Sequence, residues 1–519
     1  MNESLEYIKQ AFELKTEKCY KQAIEMLYKA LELENDNIEI LFQLGELYFL
    51  LKNFQRASHY LEKVLSQNEN HVEALVLTEK IAEYSQDLPK AFCIAEKIFK
   101  LENNKKSLIE LIKISSKKGD LKKIREFSDS EDEQVVYEIA KAFYDNKLPN
   151  EAQEKLEKFK NTENEDILIL LGKIYFDKSE FDKSKEIFSK FSINSENPEA
   201  LNYIGLFALE DMKFLDAIKC FSKAFSIDKN NAKYSYNLGN AYFYNGWIKE
   251  AAASYLQAIK LDPENLGYRY SLAYLYYEQK SFEKAQKEVD YILEYNTDYP
   301  QGHVLNALLK FENRDYLGAK NELETNLKAG NNDNFTLVSL SKVYSELAMF
   351  DKAETTIKEA LEKNPKSLNY QCQMAEIQIA EGKYDDAIKI IEDIILKNEN
   401  YIYAYVIGAK ASCAKGDYVS AKNYAQNAIS LDMNYGAGYY YLGVVRFEEK
   451  DYEEAIECLK RAITYDIDNP NYYAKMSEIY EAKKDYKTAL EYIKEAESIT
   501  NSTEYRIKYK NLAELSRKI

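Results

Sequence analysis

The sequence is poor in residues that interrupt helices and in motifs that carry out catalysis. Only 16 glycines and 7 prolines occur among 519 residues, which argues against flexible linkers and collagen-like structure. The 3 histidines, His59, His71 and His303, are isolated from one another. The HExxH, GxGxxG, GxxxxGK(S/T) and GxSxG motifs of metalloproteases, nucleotide-binding proteins and hydrolases are not found. We therefore expect no enzymatic activity, no catalytic residue, no cofactor and no metal site.

Cysteine is also scarce, and no CxxC motif occurs. The cysteines stand singly in helical stretches among apolar neighbours, which predicts reduced core thiols and a reducing compartment. They are Cys19, Cys93, Cys220, Cys372, Cys413 and Cys458. No apolar run approaches the roughly 18 to 20 residues that cross a bilayer. The start, MNESLEYIKQAF, lacks the cationic and apolar segments of a secretory signal, so we expect a cytoplasmic protein without a membrane partner.

Positive charge is in deficit, with 70 Lys and Arg against 87 Asp and Glu and a net charge of −17. Binding to nucleic acid requires a basic face, so a general role in nucleic-acid binding is disfavoured. The abundant residues are Leu, Ala, Glu, Lys, Ile and Tyr, and β-branched residues do not alternate strictly along the chain. This composition predicts an all-α protein.

One 34-residue unit, residues 232–265, organises the chain, and we number its places from Ala232 as place 1. Places 7, 8, 11, 20, 24, 27 and 32 hold Leu238, Gly239, Tyr242, Ala251, Tyr255, Ala258 and Pro263. A small residue recurs at place 20, with every step from Ala217 to Ala489 equal to 34 residues. The full column is Ala23, Ala57, Ala91, Ala152, Ser184, Ala217, Ala251, Ala285, Ala319, Ala353, Ala387, Ala421, Ala455 and Ala489. We expect two helices of each unit to cross closely at this place.

An aromatic residue recurs at place 17, where we expect the second helix of each unit to begin and its ring to fill the gap between units. This column is Tyr20, Phe54, Phe181, Phe214, Phe282, Tyr316, Phe350, Tyr384, Tyr418, Tyr452 and Tyr486. Together the two columns and the unit length resemble the tetratricopeptide repeat (TPR) family, in which each repeat is a helix–turn–helix.

The resemblance implies an all-α, right-handed superhelical solenoid of about fourteen TPR units with a C-terminal cap helix. We divide the chain into N-terminal repeats (1–103), a degenerate repeat or junction (104–132), the main array (133–502) and the cap (503–519). The third repeat is irregular, with Thr78-Glu79 replacing Leu-Gly at places 7 and 8. The junction is basic, and it is interpreted as a solvated helix pair, as a hinge or as a docking site for an acidic partner.

In the TPR family, the first helix of each unit lines a concave groove through places 2, 5, 9, 12 and 13. The resemblance therefore implies a partner-binding groove rich in aromatic side chains. Its candidate residues are Tyr236, Asn240, Phe243, Tyr244, Tyr270, Tyr274 and Tyr277, with a lesser group of Tyr403, Tyr440 and Phe447. Tyrosine suits recognition because it offers a large contact area and a polar tip at low entropic cost. The alternative is compositional, since 45 tyrosines could fill any column.

The expected function is a non-catalytic scaffold that binds a peptide or helix of a partner protein in this groove. A regulatory or targeting subunit of a multi-protein enzyme complex, for example one associated with a glycosyltransferase, is the alternative, and self-assembly through the terminal repeats is a third. The chaperone-binding members of the family share a carboxylate clamp of Lys, Asn and Arg. Its places hold Tyr236, Asn240, Ser271, Gln301 and Leu305 here, so the clamp is absent and chaperone binding is disfavoured.

Overall fold

The computed structural model describes residues 2–500 and 503–517, and this part of the chain is entirely helical, with no β-strand. It forms two compact units, Met1–Leu261 and Asp262–Ile519. Among the described residues, no helix is both long and apolar enough to span a membrane.

The first unit contains sixteen helices. They are α1 Asn2–Thr16, α2 Tyr20–Leu33, α3 Ile38–Leu50, α4 Phe54–Gln67, α5 Val72–Tyr84, α6 Leu88–Glu102, α7 Lys105–Lys118, α8 Leu121–Arg125, α9 Glu133–Asp145, α10 Pro149–Glu157, α11 Glu165–Asp177, α12 Phe181–Phe188, α13 Pro198–Glu210, α14 Phe214–Ile227, α15 Ala232–Tyr244 and α16 Ile248–Leu261.

The second unit contains fifteen helices. They are α17 Leu266–Glu278, α18 Phe282–Tyr295, α19 Pro300–Glu312, α20 Tyr316–Lys328, α21 Asn334–Glu346, α22 Phe350–Lys363, α23 Leu368–Glu381, α24 Tyr384–Lys397, α25 Ile402–Lys415, α26 Tyr418–Leu431, α27 Gly436–Glu448, α28 Tyr452–Tyr465, α29 Pro470–Ala482, α30 Tyr486–Thr500 and α31 Thr503–Arg517. Within each unit, the two helices of a repeat pack on each other, and most first helices also contact the first helix of the next repeat.

The crossing of the two helices lies where the sequence predicts it. Every residue of the place-20 column has 0% of its surface exposed. Where this column holds Ser184, its hydroxyl donates to the carbonyl of Gly172 at place 8 (2.8 Å). The hydroxyl of Ser477, at place 8, donates to the carbonyl of Ala489 at place 20 (2.8 Å). The hydroxyl of Ser235, at place 4, donates to the carbonyl of Ser254 at place 23 (2.9 Å). An earlier place of the first helix thus meets a later place of the second, so the helices of a repeat run antiparallel.

Glycine at place 8 is required by the side chain that covers it. A Cβ on Gly239 would lie 2.6 Å from the ring of Tyr255 at place 24, and a Cβ on Gly205 would lie 2.6 Å from the ring of Phe221. Such contacts are far inside van der Waals distance, so a large residue at place 24 needs a small one at place 8.

Each residue of the place-17 column is the first residue of a second helix, as predicted. In some repeats the ring packs against an aromatic residue at place 12 of the same repeat: Phe49 and Phe54 have ring centroids 5.9 Å apart, and Phe447 and Tyr452 also lie 5.9 Å apart. Phe54 also stacks on Tyr84 of the following repeat at 5.1 Å. This aromatic column therefore contributes contacts both within a repeat and between repeats.

The turn within each repeat places one residue in the left-handed region, at place 15. Gly382 (φ 90°) and Gly416 (φ 83°) adopt it without steric cost and end their first helices, as the sequence predicts. Most other repeats force a residue with a Cβ into the same conformation, for example Ala348 with φ 54°. Those repeats carry local strain at this turn.

Four basic residues of segment 104–132 pair with acids of the neighbouring repeats. Arg125 donates from Nε and Nη2 to the two carboxylate oxygens of Glu151, at 3.0 and 2.8 Å. Lys123 lies 3.1 Å from Glu96. These ion pairs give the local basic composition a structural role, and the interpretation of the segment as a junction stays a prediction.

The last helix, α31, covers the end of the second unit. Tyr505 and Leu512 are buried against the face of α30 that carries Ala489 and Ile493. Most other residues of α31 are at least partly exposed. This arrangement is the one expected of a cap helix.

Two cysteines depart from the expectation of core thiols. Cys220 and Cys372 are buried, and burial raises the pKa of their thiols to about 11 and about 12. Cys19 and Cys93 are exposed. Cys19 lies in the turn before α2, and Cys93 lies on the outer face of α6, so apolar neighbours in the sequence did not predict burial there.

Candidate protein-binding surface

The candidate residues of the first unit lie on α15, and two of them, Tyr236 and Asn240, contact Tyr255 of α16. The ring of Tyr236 packs against the ring of Tyr255, with centroids 5.8 Å apart. The hydroxyl of Tyr255 donates to Oδ1 of Asn240 at 2.8 Å. Burial raises the pKa of Tyr255 far above its ordinary value, so the hydroxyl remains a donor at neutral pH. The bond uses the amide oxygen of Asn240 and leaves its NH₂ group as the part that can donate to a ligand.

The other two residues of this group form its edge. Tyr244 is 62% exposed, and its ring stacks on Phe214 at 6.2 Å with an interplanar angle of 18°. Phe243 meets Tyr244 edge to face, with centroids 5.6 Å apart. Tyr244 is thus the most accessible ring of the group.

A buried pair of asparagine amides joins α15 to α13, the first helix of the preceding repeat. Asn237 Nδ2 donates to Oδ1 of Asn202 on α13 at 2.7 Å, and both side chains are buried. The pair links the first helices of two consecutive repeats and satisfies polar groups that would be costly to bury alone. The sequence signal for this contact is an asparagine at place 5 followed by an asparagine at place 6 one repeat later, and the pattern analysis missed it.

The candidate residues of the second unit form a chain of rings along α17. The rings of Tyr270 and Tyr274 lie 6.3 Å apart, as do those of Tyr274 and Tyr277. Tyr299, just before α19, extends the chain at 6.4 Å from Tyr270, and Phe282 extends it at 5.8 Å from Tyr277. All of these rings are partly exposed. They form a continuous aromatic surface, to which Tyr299 belongs although it lies outside the groove columns.

Tyr277 is the most constrained member of this chain. Its hydroxyl donates to Glu312 Oε1 at 3.1 Å. Burial, followed by the nearby charge of Glu312, raises its pKa above the ordinary value. Near the start of the same helix, the guanidinium of Arg269 lies 3.0 Å from Glu288 and 3.7 Å from the ring centre of Tyr291, which anchors α17 to α18.

The residues of the lesser group, on α25 and α27, also make internal contacts. Tyr403 donates to Glu376 at 3.2 Å. Tyr440 stacks on Tyr472 with centroids 5.1 Å apart. Phe447 packs on Tyr452, the place-17 ring of its repeat.

Sequence models of known families match the chain at several positions. A model described as "Tetratricopeptide repeat" matches residues 16–81, one described as "TPR repeat" matches 239–280 and 445–484, and a further "Tetratricopeptide repeat" model matches 470–503. The matches fall in both units and agree with the 34-residue spacing of paired helices. The chain is therefore a tetratricopeptide-repeat protein. Such arrays are generally non-catalytic scaffolds that present extended binding surfaces to other proteins.

Solved structures with similarity to the chain include several TPR proteins. The crystal structure of the APC/C hetero-tetramer Cut9–Hcn1 is 14% identical over 85% of this chain and 96% of that chain, with a TM-score of 0.49. A TPR protein from Parabacteroides merdae is 19% identical over 48% of this chain and 99% of that chain, with a TM-score of 0.41. Yeast Tom70 is 18% identical over 81% and 98% of the respective chains, with a TM-score of 0.38. A comparison with curated protein sequences gave no match.

Proposed function

We propose that the protein is a non-catalytic scaffold that binds a peptide segment or helix of a partner protein. The aromatic surface on α15 in the first unit and the one on α17 in the second are each proposed as a contact surface. The observation that carries the proposal is the position of Tyr236 and Asn240, which are both oriented by Tyr255 while remaining partly exposed.

Preorganisation makes these side chains suitable for recognition. A ring already packed on its neighbour loses little conformational freedom when a ligand binds, so more of the contact energy appears as affinity. The amide of Asn240 is held in one orientation and can donate to a backbone carbonyl of an extended peptide. The net charge of −17 adds a long-range preference for a basic partner.

A capture experiment tests the proposal. The wild type and a Tyr236→Ala/Tyr270→Ala/Tyr274→Ala variant are used to capture partners from the lysate of the source cells, after circular dichroism shows that both are helical. Tyr295→Ala is the matched control, because Tyr295 is an exposed ring on α18, a second helix. We expect the control to retain the partner and the triple variant to lose it. Equal capture by all three proteins would contradict the proposal.

Tyr255→Phe isolates the role of the oriented amide. This change removes the hydroxyl that holds Asn240 and keeps the ring that covers Gly239. We expect unchanged helicity and partner binding about 3- to 10-fold weaker, the effect of one lost positioning hydrogen bond of about 1 kcal/mol. If the captured partner is a stoichiometric enzyme, the scaffold is a regulatory or targeting subunit of that enzyme's complex.

A further inference from the structure

The third repeat has a large residue at place 8, where the close crossing of the two helices normally requires a small one. In the second repeat, place 8 is Gly45, and Leu61 at place 24 lies against it. In the third repeat, place 8 is Glu79 and place 24 is Ala95. The small Ala95 leaves room for a longer side chain at place 8, and Glu79 is buried there with 1% of its surface exposed.

Glu79 is one of three carboxylates that converge at this point. Glu83, four residues later on α5, and Glu110 on α7 each bring an oxygen within 4.8 Å of the others. We call Glu79, Glu83 and Glu110 the three-glutamate cluster. Oε1 of Glu79 is fully buried and has no hydrogen-bond partner. Lys117 lies 2.7 Å from Glu83, and Lys80 also acts on the charge of Glu79, so three acids are faced by two lysines.

The unpartnered oxygen is the observation that distinguishes this cluster from an ordinary acidic surface. A buried carboxylate without a partner is costly, and like charges this close repel one another. The cluster therefore requires a positive species: either a proton on Glu79 or a bound cation.

We propose that the three-glutamate cluster binds one divalent cation of the hard, oxygen-preferring class, with Ca²⁺ as the best fit. The three oxygens lie within 4.8 Å of one another, so small side-chain movements bring them to one ion at the roughly 2.3–2.6 Å of a Ca²⁺–oxygen bond. Mg²⁺ requires the shorter distance of roughly 2.0–2.1 Å and near-ideal octahedral geometry. The bound ion satisfies Oε1 of Glu79 and links α5 to α7. It thereby ties the third repeat to the segment 104–132.

The experiment uses the full-length protein, stripped with a chelator and titrated with Ca²⁺ at pH 8 by isothermal calorimetry. We expect one site per chain with a Kd in the micromolar to millimolar range, weaker binding of Mg²⁺, and slower hydrogen exchange in α5 and α7 when Ca²⁺ is present. The isosteric change Glu79→Gln should weaken binding by at least 10-fold. Glu73→Gln, at an exposed acid of the same helix, should leave it unchanged.

Lys117→Gln gives a test in the opposite direction. Removing the lysine that competes for Glu83 should tighten Ca²⁺ binding by several-fold, which a variant that merely unfolds cannot do. If the folded wild type binds no Ca²⁺ at millimolar concentration, a proton alone neutralises Glu79 and the proposal is wrong. It is equally wrong if Glu79→Gln and Lys117→Gln both bind as the wild type does.

Discussion

Introducing a carboxylate at place 20 tests the repeat register most directly, and Ala387→Asp is the change we select. Ala387 on α24 is fully buried and packs with Ile391 and Ala404 in an apolar cluster. An aspartate there has no partner and stays protonated in the folded repeat, while in the unfolded chain its pKa is about 3.9. Ionisation of this aspartate stabilises the unfolded chain. The free energy of unfolding of the repeat therefore falls by about 1.4 kcal/mol per pH unit above 3.9, or by about 4 kcal/mol at pH 7.

The sign of the pH dependence follows from this raised folded pKa. The stability of the variant is retained below about pH 4 and is lost as pH rises, so the loss at pH 5 is only about 1.5 kcal/mol. Ala387→Asn has the same shape without a titrating group, and it measures the steric and polar part of the effect. Ala387→Ser should cost little, because Ser184 occupies the same place in another repeat and satisfies its hydroxyl on Gly172.

Hydrogen exchange read by mass spectrometry is the appropriate assay, because a repeat array opens locally and a single global melting transition hides such opening. At pH 7, we expect faster exchange in α23 to α25 of the aspartate variant than of the asparagine variant. At pH 5, after correction for the pH dependence of intrinsic exchange rates, the two variants should differ much less. Ala414→Asp, at an exposed alanine of α25, is the control and should exchange as the wild type does. Equal protection of the Ala387→Asp and Ala414→Asp variants would show that place 20 is not the helix crossing.

Three further changes have defined outcomes. Ala348→Gly should stabilise the protein by about 0.5–1 kcal/mol in urea unfolding by relieving the left-handed backbone (φ 54°), whereas Ala329→Gly, where φ is −72°, should destabilise it by a similar amount. Deletion of residues 503–519 exposes the apolar face of α30 and should give more concentration-dependent aggregation in light scattering than the intact chain gives. Asn237→Ala leaves the buried amide of Asn202 unpaired and should cost about 1–3 kcal/mol in urea unfolding, while replacing both asparagines by leucine should cost less.

The periodic features of the structure were predictable because they repeat. A small residue at place 20 and an aromatic residue at place 17 recur at most helix crossings and most second-helix starts, so many copies reinforce one signal. Ala387 and Tyr384 could therefore be assigned to their places in α24 without any structural information. The left-handed turn was visible only where glycine occupies it, as at Gly382, and not where Ala348 adopts it.

Contacts that occur once were not predictable in this way. The hydrogen bond between Asn202 and Asn237 depends on two residues at different places of consecutive repeats, and a column-by-column reading cannot pair them. Glu79 was recognised as a departure at place 8, but its burial depends on the accompanying change at Ala95. The exposure of Cys93 depends on which face of α6 is outermost, which apolar neighbours in the sequence do not define.

The packing of the repeats determines which aromatic side chains remain for recognition. At Tyr277, the ring leans on Phe282 and the hydroxyl binds Glu312, so much of its surface is already in use. The repeat of α15 differs because its place-24 residue, Tyr255, carries a hydroxyl. In the preceding repeat, Phe221 covers its glycine in the same way but has no hydroxyl to offer. The hydroxyl of Tyr255 thus gives a packing residue a second role, which is to orient Asn240. Removing this hydroxyl should therefore weaken partner binding at α15 without lowering the stability of the repeat.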